Sequence, residues 1–291
     1  NGAVTATNGN AVLNSSTGSV TTKNVTAGQS VDIHAAIDIT ADGDLTSNNG
    51  EITLDAGGSI TTNSIVNALN NVIANANGNI ATNGDVTAQT GKAVLNSKGG
   101  NVNTGNVKAN KEVDIDAANS ITANGNLTSE TANVDLNAGG SITTSGQVKA
   151  QQNVDYNAKG SITTEDIINS TAGNIHLQTD AAKGDITFGG DVTADHGNIN
   201  IDVLQNGSVT DHDNKFKALG DKGDTYKDDI NRGSGNFALH IKGAGDVDLH
   251  EIYATNNALI DVANGNLTLA KIDGNLVALQ LKTEGKQLKV G

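Results

Sequence analysis

The chain has 291 residues, with 35 Gly, 40 Asn, three Tyr, three Phe and no Pro, Cys, Met or Trp. So few large apolar side chains exclude an ordinary compact α/β enzyme, whose core depends on aromatic burial. The 18 basic against 32 acidic residues, a formal charge of −14, disfavour a nucleic-acid partner, and no apolar run reaches the length of a membrane span.

In chain order the first signal is a beat of apolar anchors at Val20, Ile39, Ile60, Ile80, Val102, Ile121, Ile142, Ile162, Ile186 and Val209, with a mean interval of 21 residues. In eight of the ten, Gly and then Ser, Asn or Asp precede the anchor, as in Gly58-Ser59-Ile60. Glycine there is expected to supply a positive-φ corner, and the short polar residue to bond the turn backbone. A second beat follows at Val25, Leu45, Val66, Val86, Val107, Leu127, Val148, Ile168 and Val192. Two residues after each stands Ala or Ser. The third is a period-2 pair such as Val31/Ile33, Ile52/Leu54 or Val113/Ile115. These runs are β-branched and too short for helices, so they read as strands.

Three short strands in about 20 residues make one rung of a parallel β-helix, with inward positions stacked into ladders. The absence of proline follows, because nearly every strand N–H is needed by a neighbouring rung. Residues 1–82 align without gaps onto 83–164 with 46 identities, so a four-rung block is duplicated in phase. Residues 1–210 are therefore expected to be rungs, 211–235 an inserted polar loop, and 236–291 further rungs. The pattern starts and stops in mid-rung, as expected of a segment of a longer protein.

The inserted stretch offers the densest polar set. Asp211, Asp213, Asp221, Asp224, Asp228, Asp229 and Arg232, with Phe216 and Tyr226 as contact anchors, are its candidate binding residues. Asp211 and Asp213 have calcium-loop spacing, but Lys215 stands at the third ligand position, so no metal is assigned. The six histidines fall on different rungs, and no nucleophile constellation can be assembled. No catalytic residue or cofactor is expected. Thr21, Thr40, Thr61, Thr122, Thr143, Thr163, Thr187 and Thr210 follow their anchors and form a candidate outward column. Such a column can present hydroxyls to ice or sugars, although Thr also simply favours exposed strand positions. Six Asn-X-Ser/Thr sequences occur, the number this composition gives by chance.

The rungs GSITTSGQVKAQQNVDYNAKGSITT and GNLTSETANVDLNAGGSITT resemble the repeats of filamentous haemagglutinin-type exoproteins, the large bacterial adhesins and contact-dependent toxins of two-partner secretion. The resemblance covers the chain apart from 211–235. It implies an all-β, single-stranded, right-handed parallel β-helix at the bacterial surface or released from it. It further implies an outer-membrane secretion partner engaged by a region outside this segment, and a cell-surface receptor or glycan as ligand. The family's secretion motif contains proline and is absent here, and no family functional residue maps onto this sequence. The expected function is an adhesin shaft or adhesive segment. A passive stalk of a toxin-type exoprotein is the alternative, with a polysaccharide-active β-helix enzyme or an ice-binding protein behind it.

Overall fold

A computed structural model describes residues 2–220 and 234–291. The fold is an all-β parallel solenoid, with no α-helix among the described residues. It divides into two compact units, Asn1–Gly140 and Ser141–Gly291.

In the first unit each rung has one five-residue strand and two three-residue strands. Its seven long strands are Ala11–Ser15, Val31–Ala35, Ile52–Ala56, Val72–Ala76, Ala93–Ser97, Val113–Ala117 and Val134–Ala138. All pair in parallel, each advancing 20 or 21 residues on the last. Side chains alternate in and out with period 2. Val31, Ile33 and Ala35 point inward and are buried, while Asp32 and His34 point outward. Leu95 stacks on Ala74 and Ile115 and is buried, so Asn96 faces outward and no interior amide ladder forms.

The small residues of the second short strand, from Ala27 through Ser47 to Ala109 and Ser129, are all buried. Where serine replaces alanine it gains a function. Ser47 Oγ donates to the Gln29 carbonyl and accepts the Gly50 N–H, tying two rungs through one corner. Threonines such as Thr82 and Thr104 also point inward, with their hydroxyls 2.7 Å apart.

The polar residue before each anchor does more than bond its own turn. Its side chain accepts the N–H of the equivalent residue one rung on: Ser19 from Asp38, Asp38 from Ser59, Ser59 from Asn79, Asn79 from Asn101, and Asn101 from Ser120, at 2.7–3.1 Å. This continuous ladder fixes register, because a slip by one residue would strand every acceptor.

The expected positive-φ corners are corrected. Gly58 and Gly140 lie outside the left-handed region, which among the described residues holds only Gly207, Gly220, Gly285 and Asp213. Glycine is needed for close approach instead. A Cβ on Gly57 would lie 2.2 Å from the Ala36 carbonyl oxygen, and one on Gly139 would lie 2.0 Å from that of Ala118.

The second unit keeps this plan with larger departures. Its long strands align in register at Val154, Ile175, Ile199, Phe237, Ala258 and Val277, so one step is 24 residues and another 38. The anchor ladder survives both steps, running Ser141, Ser161, Asp185, Ser208, Asp246, Asn266 to the N–H of Gln287. Beyond the excursion the two short strands fuse. Val247–Ala254 pairs with Val209 at one end and with Phe216 at the other.

Candidate functional site

The expected loop boundary is corrected first. Lys215–Ala218 is a rung strand, with Phe216 in register with Val192 and Ile252. The alternation Lys-Phe-Lys-Ala places both lysines outward and Phe216 in the core, fully buried. It meets Phe188 edge to face at 4.9 Å and Phe237 at 5.8 Å. Phe216 is therefore an interior residue, not a contact anchor. Asp221, Asp224, Tyr226, Asp228, Asp229 and Arg232 lie outside the described residues. Gly220 and Gly235, on either side of the residues not described, lie close together, since a Cβ on Gly220 would fall 2.1 Å from the Gly235 nitrogen.

The polar groups at that root partner one another. Asp211 accepts the His250 N–H at 3.0 Å, and burial pushes its carboxyl above the usual range. Asp213 is exposed, at φ 62°, and pairs with His250 Nδ1 at 3.5 Å. Lys215 reaches Glu251 at 3.4 Å and Lys217 reaches Asp191 at 3.7 Å. The Tyr253 hydroxyl donates to Glu251 at 2.6 Å and, with Lys215 nearby, holds that carboxyl low. Asn214 is buried and donates to the Phe188 carbonyl. No group of three metal-ligating side chains occurs among the described residues.

The threonine column faces outward, exposed at Thr21 and half-buried beyond it, in register as Thr21-Thr40-Thr61 in the first unit, then interrupted by Ala81 and Asn103 before Thr122. In the second unit Thr143, Thr163, Thr187 and Thr210 stack in sequence until Asp248 replaces them. Sequence reading missed a second column on the other short strand, Thr5-Thr26-Thr46, followed by Asn67, Thr87, Lys108 and Thr128.

It also missed a groove of about 430 Å³ in the first unit, beside the long strands. One wall is the outward column Asn14, His34, Asp55 and Asn75, residues in register on four successive rungs. His34 Nδ1 lies 3.2 Å from Asp55, and Asn75 donates to Asp55 at 2.8 Å. Ser15, Ser16, Ala36, Gly57, Asn77 and Lys98 also line it, along with Ala35, Ala56 and Ala76, which point inward and are buried. The signal was a polar residue five or six positions before each anchor, at Asn14, His34, Asp55 and Asn75.

In the second unit the matching face carries His176 between Asp202 at 3.3 Å and Asp155 at 3.8 Å. The Asp202 hydrogen bond raises the imidazole's pKa despite partial burial, and the same contact lowers that of Asp202.

No protein-family model, curated protein or solved structure matches the chain. Among the described residues no helix is long and apolar enough to cross a membrane.

Proposed function

We propose that this chain is the β-helical shaft of a secreted bacterial surface adhesin, a structural and interaction protein rather than an enzyme. The observation that carries this reading is how the duplicated block has diverged. Inward strand positions of 1–82 and 83–164 are identical except at Ile52/Val134 and Ala74/Tyr156. Outward positions change charge freely, as in Thr26/Lys108, His34/Asp116 and Asn67/Lys149. A repeat scaffold kept for its ladder and varied on its surface suits a display or spacing role. A catalytic groove would instead hold its outward residues fixed in one place.

In this reading the chain reaches the surface through an outer-membrane partner engaged elsewhere in the parent protein. The passive stalk differs only in whether the segment itself binds cells.

The test is saturable binding of the purified protein to epithelial and bacterial cells, alongside a variant lacking 221–233, a cut that the adjacency of Gly220 and Gly235 permits. Saturable binding is the expected result, and its loss on deletion would assign adhesion to the excursion. Binding by neither protein would favour the passive stalk. Steady release of reducing ends from a polysaccharide would overturn the non-enzymatic reading.

A further inference from the structure

We infer that the groove of the first unit binds a linear, neutral oligosaccharide lying across the rungs, contacted by Asn14, His34, Asp55 and Asn75. Three features of the groove lead there. First, its wall presents one polar side chain per rung over four rungs, so hydrogen-bonding groups recur about every 4.8 Å along a straight track. A β-linked hexose chain advances by a similar step and offers hydroxyls at each residue, so successive sugars meet successive side chains. Second, hydrogen-bonding capacity remains. Asn75 gives its amide N–H to Asp55 and keeps its carbonyl, while Asn14, Asn77 and Lys98 have no side-chain partner among the described residues. Third, between these polar groups the lining is small, with Ser15 half-buried and Ser16, Ala36 and Gly57 exposed, which leaves room for a sugar ring.

The same features exclude other occupants. An extended peptide needs a free strand edge, but the long strands here are already paired to one another. A polyanion needs clustered cations, and this groove sets Asp55 against Lys98 and His34. A neutral polyhydroxylated chain asks only for mixed donors and acceptors, which these walls supply.

The duplication provides the control. In the second block Ala35, Ala56 and Ala76 recur as Ala117, Ala138 and Ala158, whereas His34 is replaced by Asp116, Asp55 by Asn137 and Asn77 by Lys159. Transferring the second block's residues into the first therefore alters the wall with side chains this ladder already carries at equivalent places.

The experiment titrates the full chain with tetrasaccharides of β-1,4-linked glucose and of β-1,4-linked N-acetylglucosamine, and with a heparin-derived tetrasaccharide as the acidic counterpart. Chemical shifts of the asparagine side-chain amides are followed by NMR. Saturable shifts at Asn14 and Asn75 with at least one neutral probe are expected. The variant His34→Asp/Asp55→Asn/Asn77→Lys should bind roughly tenfold more weakly, the loss of one or two net hydrogen bonds, with an unchanged melting temperature. Asn75→Ala, which removes one wall group without adding charge, should weaken binding in the same direction. Absence of saturable shifts up to the solubility of both neutral probes would overturn the inference. So would equal binding by the triple variant, or preference for the heparin fragment. The inference extends the adhesive reading but rests on the groove. Retained tetrasaccharide binding without cell binding would remove the adhesin proposal alone, whereas cell binding by the triple variant at full strength would leave that proposal standing without this site.

Discussion

The two units solve one packing problem with different side chains. The first fills its interior with Val, Ile, Leu, Ala, Thr and Ser, contains no aromatic residue, and advances 20 or 21 residues from one long strand to the next. The second takes steps of 24 and 38 residues and buries Tyr156, Phe188, Phe216 and Phe237. Near-uniform rungs let aliphatic side chains stack in register, large on small as in Leu54–Ala74–Leu95, which fills space without large groups. Where rung length varies, neighbouring inward positions no longer complement one another in size, and rings meeting edge to face fill the difference. Irregularity is thus accommodated by interior volume, while the anchor ladder holds register across it.

This difference gives the units separate spectroscopic reporters, because every aromatic residue lies at or beyond position 156. The largest effect is expected from Leu95→Asp. Leu95 is 1% exposed between Ala74 and Ile115, so a carboxylate there is buried without a counter-charge. Thermal unfolding by far-ultraviolet circular dichroism should show strand signal of the first unit lost early. The near-ultraviolet tyrosine signal, which reports on the second unit, should persist to higher temperature. A negligible change in melting would place Leu95 in solvent and undo the register described above.

Next in size is Phe216→Ala, which removes the middle ring of the Phe188–Phe216–Phe237 cluster. Large-to-small truncation of a buried Phe costs about 3–5 kcal/mol, and a groove-filling collapse is blocked here by the paired strands on both sides. The melting of the second unit should fall accordingly, and Phe216→Leu should recover much of it. If Phe216→Ala melted like the parent, the aromatic cluster would be incidental and the contrast between the units would lose its physical basis.

How far this was legible in the sequence depends on which forces act within a rung and which act between rungs. The anchors, the small corner residues and the period-2 pairs were readable, because burial imposes a local pattern on each strand. Three features escaped because they arise between rungs. Glycine at 57 and 139 serves the carbonyl of the preceding rung, a contact with residues 21 positions away. Ser59 and its counterparts cap N–H groups about 20 residues on. The groove is a column of residues that are never neighbours in sequence. Phe216 was misplaced for a different reason: it lies among charges, and the strand signal in Lys-Phe-Lys-Ala was outweighed by the polarity around it. Thr62 and Thr82 point inward despite a residue type that reads as exposed.

The smallest effects concern charge, and they oppose each other between the units. Burial raises the Asp114 carboxyl from 3.8 to about 6, assisted by Asp116 and Glu112 and opposed by Lys92. The unfolded chain ionises at the lower value, so the folded first unit binds the extra proton, and its stability grows as pH falls through 6 toward 3.8. Asp114→Asn should therefore stabilise at pH 7, by about 1 kcal/mol once solvent screening of a half-exposed site is allowed for, and the gain should vanish near pH 4. His176 is the reverse case, an attraction. Its raised pKa means that its contribution is complete below 6.5 and is lost as pH rises through the folded value, while the lowered pKa of Asp202 preserves that contribution until pH drops below 3.8. Replacing it as His176→Gln should destabilise the second unit at pH 6, by roughly 0.2–1 kcal/mol as for exposed pairs, and have little effect in alkaline solution. Melting curves of the two variants at pH 4, 6 and 8 decide the matter. Shifts of the same sign at pH 6 would mean that the outward faces of the two units share one electrostatic character, and that the units differ only inside.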